Sequence, residues 1–321
     1  MADKDIFNKK TGIVLVVTNE KHNLQMLYES LLKQTYKNFI IYFVDNNSSD
    51  GSVSFSKELN KNFGFDIRYI LLKENSGDAK GNTIGADAAI KDGCDYVFIL
   101  NNDTELDPAC MEELLNLSES DDNIGVTGPI FFYWTKEKTK NKIQIYGAHV
   151  NFKTQVRETV AATEIFEETN LPEVLECDYP IGGALFIKHE VIEKLGTLFD
   201  DRYFMYNNEI DFSFRLKKLG YKAYATTKAK VWHNHNWVRT NKSGYYREYY
   251  LMERNKFLYC HKFKFTGQLV KMVLIDTIKF PWRLIWFMKV CDFKLGMIYL
   301  RGLIDGVLNR QGKPKFSFFA K

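Results

Sequence analysis

The chain has 321 residues and a mass of 37.5 kDa, is 45% hydrophobic and 26% charged, and holds only six prolines; this excludes intrinsic disorder and collagen-like repeats and allows a large core. Its net charge of +4 hides an asymmetry, because residues 256–321 carry thirteen Lys or Arg against three Asp or Glu while the preceding 255 residues are net acidic. The longest run without a charge, Asn123–Thr135, is shorter than the ~18 apolar residues of a spanning helix, MADKDIFNKK has no apolar signal core, and the five cysteines form no CxxC pair, so neither a signal peptide, a spanning helix, a zinc cluster nor a disulfide framework is expected.

Short apolar or β-branched runs at Ile13–Val17, Phe39–Val44, Ile67–Leu72, Tyr96–Leu100 and Ile124–Ile130 predict strands. Helical spacing fills the gaps, as in Leu24, Leu27, Leu31 and Leu32. The alternation predicts an α/β fold with a mostly parallel sheet covered by helices on both faces, in which ligands bind beyond the carboxyl ends of the strands. Polar clusters stand at three of those ends: Thr18-Asn19-Glu20, the run Asp45 to Gly51, and Asn101-Asn102-Asp103. Asp107 and Pro108 suit a helix N-cap and first turn. Periodicity fades from about Tyr133 to Asp178, which predicts a mobile functional loop or a small insertion. A strand at Ile181–Ile187, helices at His189–Leu195 and Glu209–Leu219, and short strands at Lys222–Thr226 and Lys230–His233 follow. From Tyr245 onward the pattern is helical, with breaks expected near Thr266-Gly267, Pro281 and Gly296. Divisions are expected near residue 110, between two halves of one domain, and near residue 255, where a basic aromatic tail begins.

There is no GxxxxGK[ST] loop, and Gly77, Gly81 and Gly85 are spaced by four rather than as GxGxxG, against a P-loop NTPase or dinucleotide dehydrogenase. Glycines at that spacing serve either close packing or close approach to a ligand. Asp45 could accept from the imide N–H of uracil or thymine, or serve only the turn after it. Asp103 at one strand end and His233 at another either are ordinary hydrogen-bonded side chains or offer a carboxylate and an imidazole, a pair suited to Mn²⁺ or Mg²⁺ with open positions. Glu209 and Asp211, in the first turn of a helix behind the aromatic run Tyr203–Tyr206, either complement the helix dipole or include a general base whose pKa the aromatic wall raises.

In order, VDNNSSDGS (44–52), ENSGDAKGNTIG (74–85), DYVFILNNDTELDP (95–108), GGALFIKHEVIEKLGTLFDDRYFMYNNEIDFSFRLKKLGYK (182–222) and AKVWH (229–233) resemble glycosyltransferase family 2, in its bacterial rhamnosyltransferase-like branch of O-antigen and capsule synthesis. The resemblance covers about residues 12–260. It implies a GT-A fold, a nucleotide-sugar donor (dTDP-rhamnose or a UDP-hexose), a divalent metal and inversion at the anomeric carbon. It further implies that Asp45 recognises the base, that Asn101-Asn102-Asp103 is the DXD element with Asp103 and His233 on the metal, and that Glu209 is the catalytic base, with Asp211 and Arg215 completing its motif. Thr18, Glu20, Asn75, Lys80 and Asn82 fall in the donor-binding stretches. Three positions depart from the family pattern: no aromatic follows Thr18, Asn208 replaces a common acidic residue, and Lys80 replaces a small one.

The expected function is transfer of one sugar to a lipid-linked saccharide at the cytoplasmic face of the membrane. A processive synthase is disfavoured by the lack of spanning helices and of a QxxRW element, and an inactive glycan-binding scaffold by the near-complete set Asp45, Asp103, Glu209 and His233. The tail, with Trp282, Trp286 and aliphatic stretches between its cations, is expected on an anionic membrane surface rather than on nucleic acid, with a homo-oligomer interface as the rival.

Overall fold

The computed structural model describes residues 6–135, 141–234, 242–289 and 292–315. Its frame is a sheet of ten strands, with order β10-β12-β6-β11-β4-β1-β2-β3 along the main path. Four are the parallel strands β1 (Thr11–Val17), β2 (Phe39–Asp45), β3 (Ile67–Leu71) and β4 (Tyr96–Leu100), with α1 (Leu24–Leu32), α2 (Ser52–Phe63) and α3 (Asp78–Lys91) as crossovers. β1, β2 and β4 are buried almost throughout, which is why they read as continuous apolar runs rather than as alternation. β5 (Thr104–Leu106) and α4 (Cys110–Glu119) follow. Asp107 accepts from Ala109 N–H in the turn ahead of α4, so the helix starts slightly later than the Asp107–Pro108 signal suggests.

The sheet continues through β6 (Ile124–Tyr133), so the stretches before and after residue 110 share one sheet. Residues 141–178 are more regular than their sequence suggests. They supply β7 (Ile143–Ile145), which pairs with β6, a hairpin of β8 (Ala148–Asn151) and β9 (Val156–Thr159), and β10 (Val174–Cys177) on the far edge of the sheet. β11 (Ala184–Lys188) inserts antiparallel between β4 and β6, and α5 (His189–Leu195) and α6 (Asn208–Lys218) lead to β12 (Lys222–His233). β12 joins the two short strands expected there, with an irregularity between Thr226 and Lys230 where its register against β6 shifts.

The glycines of α3 have a packing explanation. A Cβ at Gly81 would stand 2.9 Å from the Val16 side chain and one at Gly85 2.4 Å from that of Val14, so α3 lies directly on β1. A Cβ at Gly77 would meet the backbone oxygen of Phe204 at 2.2 Å.

Three helices close the chain: α7 (Lys242–Lys262), α8 (Thr266–Lys289) and α9 (Phe293–Val307). The boundary expected near residue 255 falls inside α7, whose buried Arg254, Asn255, Phe257 and Leu258 belong to the body of the protein. The break near Thr266 is found, but α8 runs through Pro281 and α9 through Gly296. Pro281 removes one helical hydrogen bond, yet the turns on either side are pinned, by Asp276 pairing with Lys256 and Arg283 and by buried Phe287 against Tyr299. Gly296 is an approach point, since a Cβ there would sit 3.0 Å from the Phe287 ring. Cys94, Cys110, Cys177 and Cys260 are free and buried, and Cys291 lies outside the described residues, as does the end of the tail after Lys315.

Candidate active site

The expected site residues mostly gather at the carboxyl ends of β1, β2 and β4, which local structure ties together. Asn46 N–H bonds to Val17 O of β1, and the Asn102 amide donates to Val16 O (3.2 Å). Asp45 is buried and accepts from Ser48 N–H at 3.2 Å, while Asn46 reaches Asn75 at 3.2 Å and receives Ser76 N–H. The polar run after β2 thus folds back as a turn whose groups frame the mouth of the sheet. Thr18 and Glu20 are half-buried beside it, and Lys80 is exposed in the first turn of α3. Asn82 and Asn102 face the protein rather than open space: both are buried, Asn82 donates to Asp78, and the Asn102 carbonyl accepts from Asn23.

Asp103 and His233 meet although 130 residues separate them. β12 pairs antiparallel with β5, setting His233 opposite Thr104 and bringing its Nε2 to 3.1 Å from the Asp103 carboxylate. The other ring nitrogen, Nδ1, is 2.9 Å from Gln144 Oε1. Both ring nitrogens are thus engaged, Nε2 with the Asp103 carboxylate and Nδ1 with the Gln144 amide. A carboxylate and an imidazole with the second nitrogen so fixed are suitable first ligands for Mn²⁺ or Mg²⁺. Among the described residues no group of three or more His, Cys, Asp and Glu surrounds one point.

Glu209 stands at the start of α6. The segment before it is unusual, since Phe204, Tyr206 and Asn207 all have positive φ, between +65° and +67°, uncommon for non-glycine residues. Carbonyls of the same segment are held from α7: the Asn255 amide donates to Tyr203, Met205 and Tyr206 oxygens at 3.1, 2.7 and 3.0 Å, and Arg254 donates to Tyr203 O at 2.8 Å. Asn207 is further tied to Gln155 of the hairpin turn at 2.9 Å. Burial, reinforced by the nearby Asp78 carboxylate, pushes the Glu209 pKa up to about 7. Asp78 is itself raised by burial and is held by Asn208 and Asn82.

Two glycines join the carboxylate to the acid–imidazole pair. A Cβ on Gly182 would come within 2.5 Å of Glu209 Oε1, and one on Gly183 would meet Phe131 at 3.2 Å and Asn101 at 3.3 Å. Asn101 N–H bonds to Gly183 O, and the Phe131 ring packs edge-on against His233. The absence of side chains at 182 and 183 therefore leaves a cleft with the Glu209 carboxylate on one side and, on the other, Asn101 and the Phe131 ring that packs on His233.

Asp211 and Arg215 do not reach that cleft. Asp211 is fully buried, accepts from Tyr203 Oη (3.1 Å) and Arg215 Nε (2.7 Å), and pairs with Lys262 Nζ at 2.5 Å. The remaining Arg215 nitrogens donate to the carbonyls of Thr197 and Leu198. Both Asp211 oxygens are taken up by these partners, and together the two residues hold α6 in place. Asp78, Gln144, Gly182 and Asn255 are the participants the sequence did not single out. For Gly182 a signal existed, the unusual Gly-Gly at a strand start; the other three act through contacts that no local pattern announces.

The strand order, the strand-end site and the antiparallel β11 are those of a GT-A glycosyltransferase. The family model for glycosyl transferase family 2 matches residues 12–196, and the chain belongs to that family. It is 24% identical over 255 residues to the low-salt glycan biosynthesis hexosyltransferase Agl10 of Haloferax volcanii, covering 78% of each chain. It is 23% identical over 236 residues to an N-acetylglucosaminyl-diphospho-decaprenol L-rhamnosyltransferase of Mycobacterium tuberculosis, covering 69% of this chain and 75% of that one. Among solved structures, GalNAc-T7 with UDP, GalNAc and Mn²⁺ superposes with a TM-score of 0.57 at 16% identity, over 72% of this chain and 44% of that one, a likeness of fold. The protein is a glycosyltransferase.

Proposed function

We propose that the enzyme is metal-dependent and inverting, moving one sugar from dTDP-rhamnose or a UDP-hexose to a lipid-linked saccharide in the synthesis of a cell-surface polysaccharide. The observation that carries this reading is the meeting, across Gly182-Gly183, of a carboxylate raised to about 7 and a carboxylate–imidazole pair of the residue types that ligate Mn²⁺ or Mg²⁺. Glu209 accepts the proton of the acceptor hydroxyl as its oxygen bonds to the anomeric carbon. The bond from that carbon to the diphosphate breaks, and its electron pair leaves with the diphosphate. Asp103 and His233 would hold Mn²⁺ or Mg²⁺, which supplies positive charge to the departing group. Asp45, with Thr18, Glu20 and Asn75 around it, receives the nucleoside, and Asn101 and Lys80 lie toward the phosphates and sugar. A base with a pKa near neutrality is half ionised where it works, which suits it to take a proton and release it again.

Support for a lipid-linked acceptor comes from the mycobacterial relative's name and from the tail. α8 and α9 expose Ile278, Trp282, Trp286, Phe293 and Met297, with Trp282 73% exposed, among Lys271, Lys279, Lys289 and Lys294. Among the described residues no helix is long and apolar enough to cross a membrane, so the proposed contact is in-plane, on anionic lipid at the cytoplasmic face. The deciding experiment is a panel of nucleotide sugars scored for nucleoside diphosphate release, with acceptor extract and with or without Mn²⁺ or EDTA. Release with at least one donor, abolished by EDTA, is expected; release indifferent to EDTA overturns the metal assignment, and binding of a donor without turnover points to an inactive scaffold.

A further inference from the structure

Between the β8–β9 hairpin, α7 and α8 lies a cavity of about 580 Å³, a size typical of small-ligand sites. It abuts the base. Asn207 and Ile210, on either side of Glu209 in sequence, form part of its wall, and so does Arg157, which stacks over Tyr179 at 5.8 Å. The Tyr179 hydroxyl in turn accepts Gly182 N–H at 3.4 Å, and Gly182 seats the Glu209 carboxylate. Arg157 is close enough to Glu209 to oppose the upward shift of its pKa.

We infer that this cavity seats the terminal sugar of the acceptor, with the aglycone leaving along α8. The inference rests on the transfer chemistry assigned to Glu209. Its chemistry is that of a polyol site. Tyr245 and Tyr249 offer ring faces, and Asn207, Glu248 and Arg157 offer hydrogen-bonding groups. The charges of its floor are already matched within the protein: Lys256 pairs with Glu253 at 2.5 Å and with Asp276 at 2.9 Å, and Arg283 with Asp276 at 3.3 Å while lying 4.4 Å over the Tyr299 ring. A floor so neutralised favours an uncharged sugar over a phosphate. The exit is marked by α8 itself. Met272 and Ile275 line the cavity, and Leu274, Ile278 and Trp282 continue from them as exposed apolar surface. One end of the site is thus polar and beside a base, and the other is apolar, which fits an amphiphile with a sugar head.

Two measurements on the full-length protein test this. Saturation-transfer NMR with free N-acetylglucosamine, rhamnose and galactose needs no turnover. Contact with at least one sugar is expected, unaffected by added UDP or dTDP and lost in Met272→Trp, which fills the cavity, with unchanged circular dichroism. No contact with any of the sugars, or contact retained in Met272→Trp, overturns the assignment. With a donor and lipid-linked acceptor that turn over, Met272→Trp and Tyr249→Ala should each raise the acceptor KM about tenfold or more while the donor KM stays within twofold. An unchanged acceptor KM, or an equal rise in both, refutes the cavity and leaves the glycosyl-transfer reading standing. Sugar contact without any donor turnover does the reverse.

Discussion

Glu209 shows how a single side chain can serve function against stability. Its pKa of about 7 lies above the ordinary carboxyl value, so the folded protein binds the proton more tightly than the unfolded chain. The resulting destabilisation is absent below about pH 4.5, grows as pH rises to about 7 and persists above it. Glu209→Gln should therefore raise the melting temperature at pH 8 but not at pH 4.5, while lowering the transfer rate on the order of 10²–10⁴-fold with donor affinity retained. In the wild type, activity should rise with pH through about 7. Asp211→Asn behaves in the opposite way, since it strips charge from a buried partner of Arg215 and Lys262; a loss of about 3 kcal/mol or more is expected in urea unfolding at pH 7. Asp103→Ala should abolish metal-dependent donor binding, and full turnover by that variant would remove Asp103 from the metal site. These roles were unequally legible in the sequence. Asp103, His233 and Glu209 stand at element ends, where residue type and position carry information. Asp211 shares a helical turn with Glu209, and only three-dimensional packing separates the two: one in the cleft, the other under Lys262.

At the scale of elements, the strands were readable because burial on both faces leaves uninterrupted β-branched and aromatic runs. The β8–β9 hairpin was not, because β9 is exposed along its whole length and β8 offers only two buried positions, Ala148 and Val150. Pro281 and Gly296 misled for a related reason, since both act as helix breakers only when no tertiary contact fixes the turns around them. The same hidden tertiary logic governs the Tyr203–Asn207 segment, whose left-handed residues have no glycine to ease them and are held by three hydrogen bonds from one amide. Asn255→Ala should release those carbonyls and lower kcat at least tenfold, with the donor KM little changed. Equal loss of kcat and of global stability would mark Asn255 as a core residue and nothing more. Gly182→Ala is the complementary test from the other side of the cleft: its methyl group would displace the Glu209 carboxylate, so kcat should fall while the metal-dependent binding of donor persists.

For the whole molecule, charge and apolar surface are segregated toward the same end. Anionic lipid should attract the tail by about 1 kcal/mol for each basic residue near the surface, after which the aromatic side chains insert. Co-sedimentation with anionic liposomes should weaken with added salt and again in a Trp282→Ala, Trp286→Ala double variant; indifference to such liposomes at low salt makes the tail an oligomer interface instead. The tail nevertheless cannot be regarded as an appendage to a self-sufficient catalytic unit. Lys262, near the end of α7, pairs with both Asp200 and Asp211, and Asn255 governs the backbone leading to Glu209. A shortened protein ending at residue 250, attractive to anyone seeking a more soluble sample, would keep every strand of the sheet but lose Asn255 and Lys262, the struts beneath α6. Loss of transfer is expected of such a sample with or without lipid, and its inactivity would be mistaken for a need for lipid.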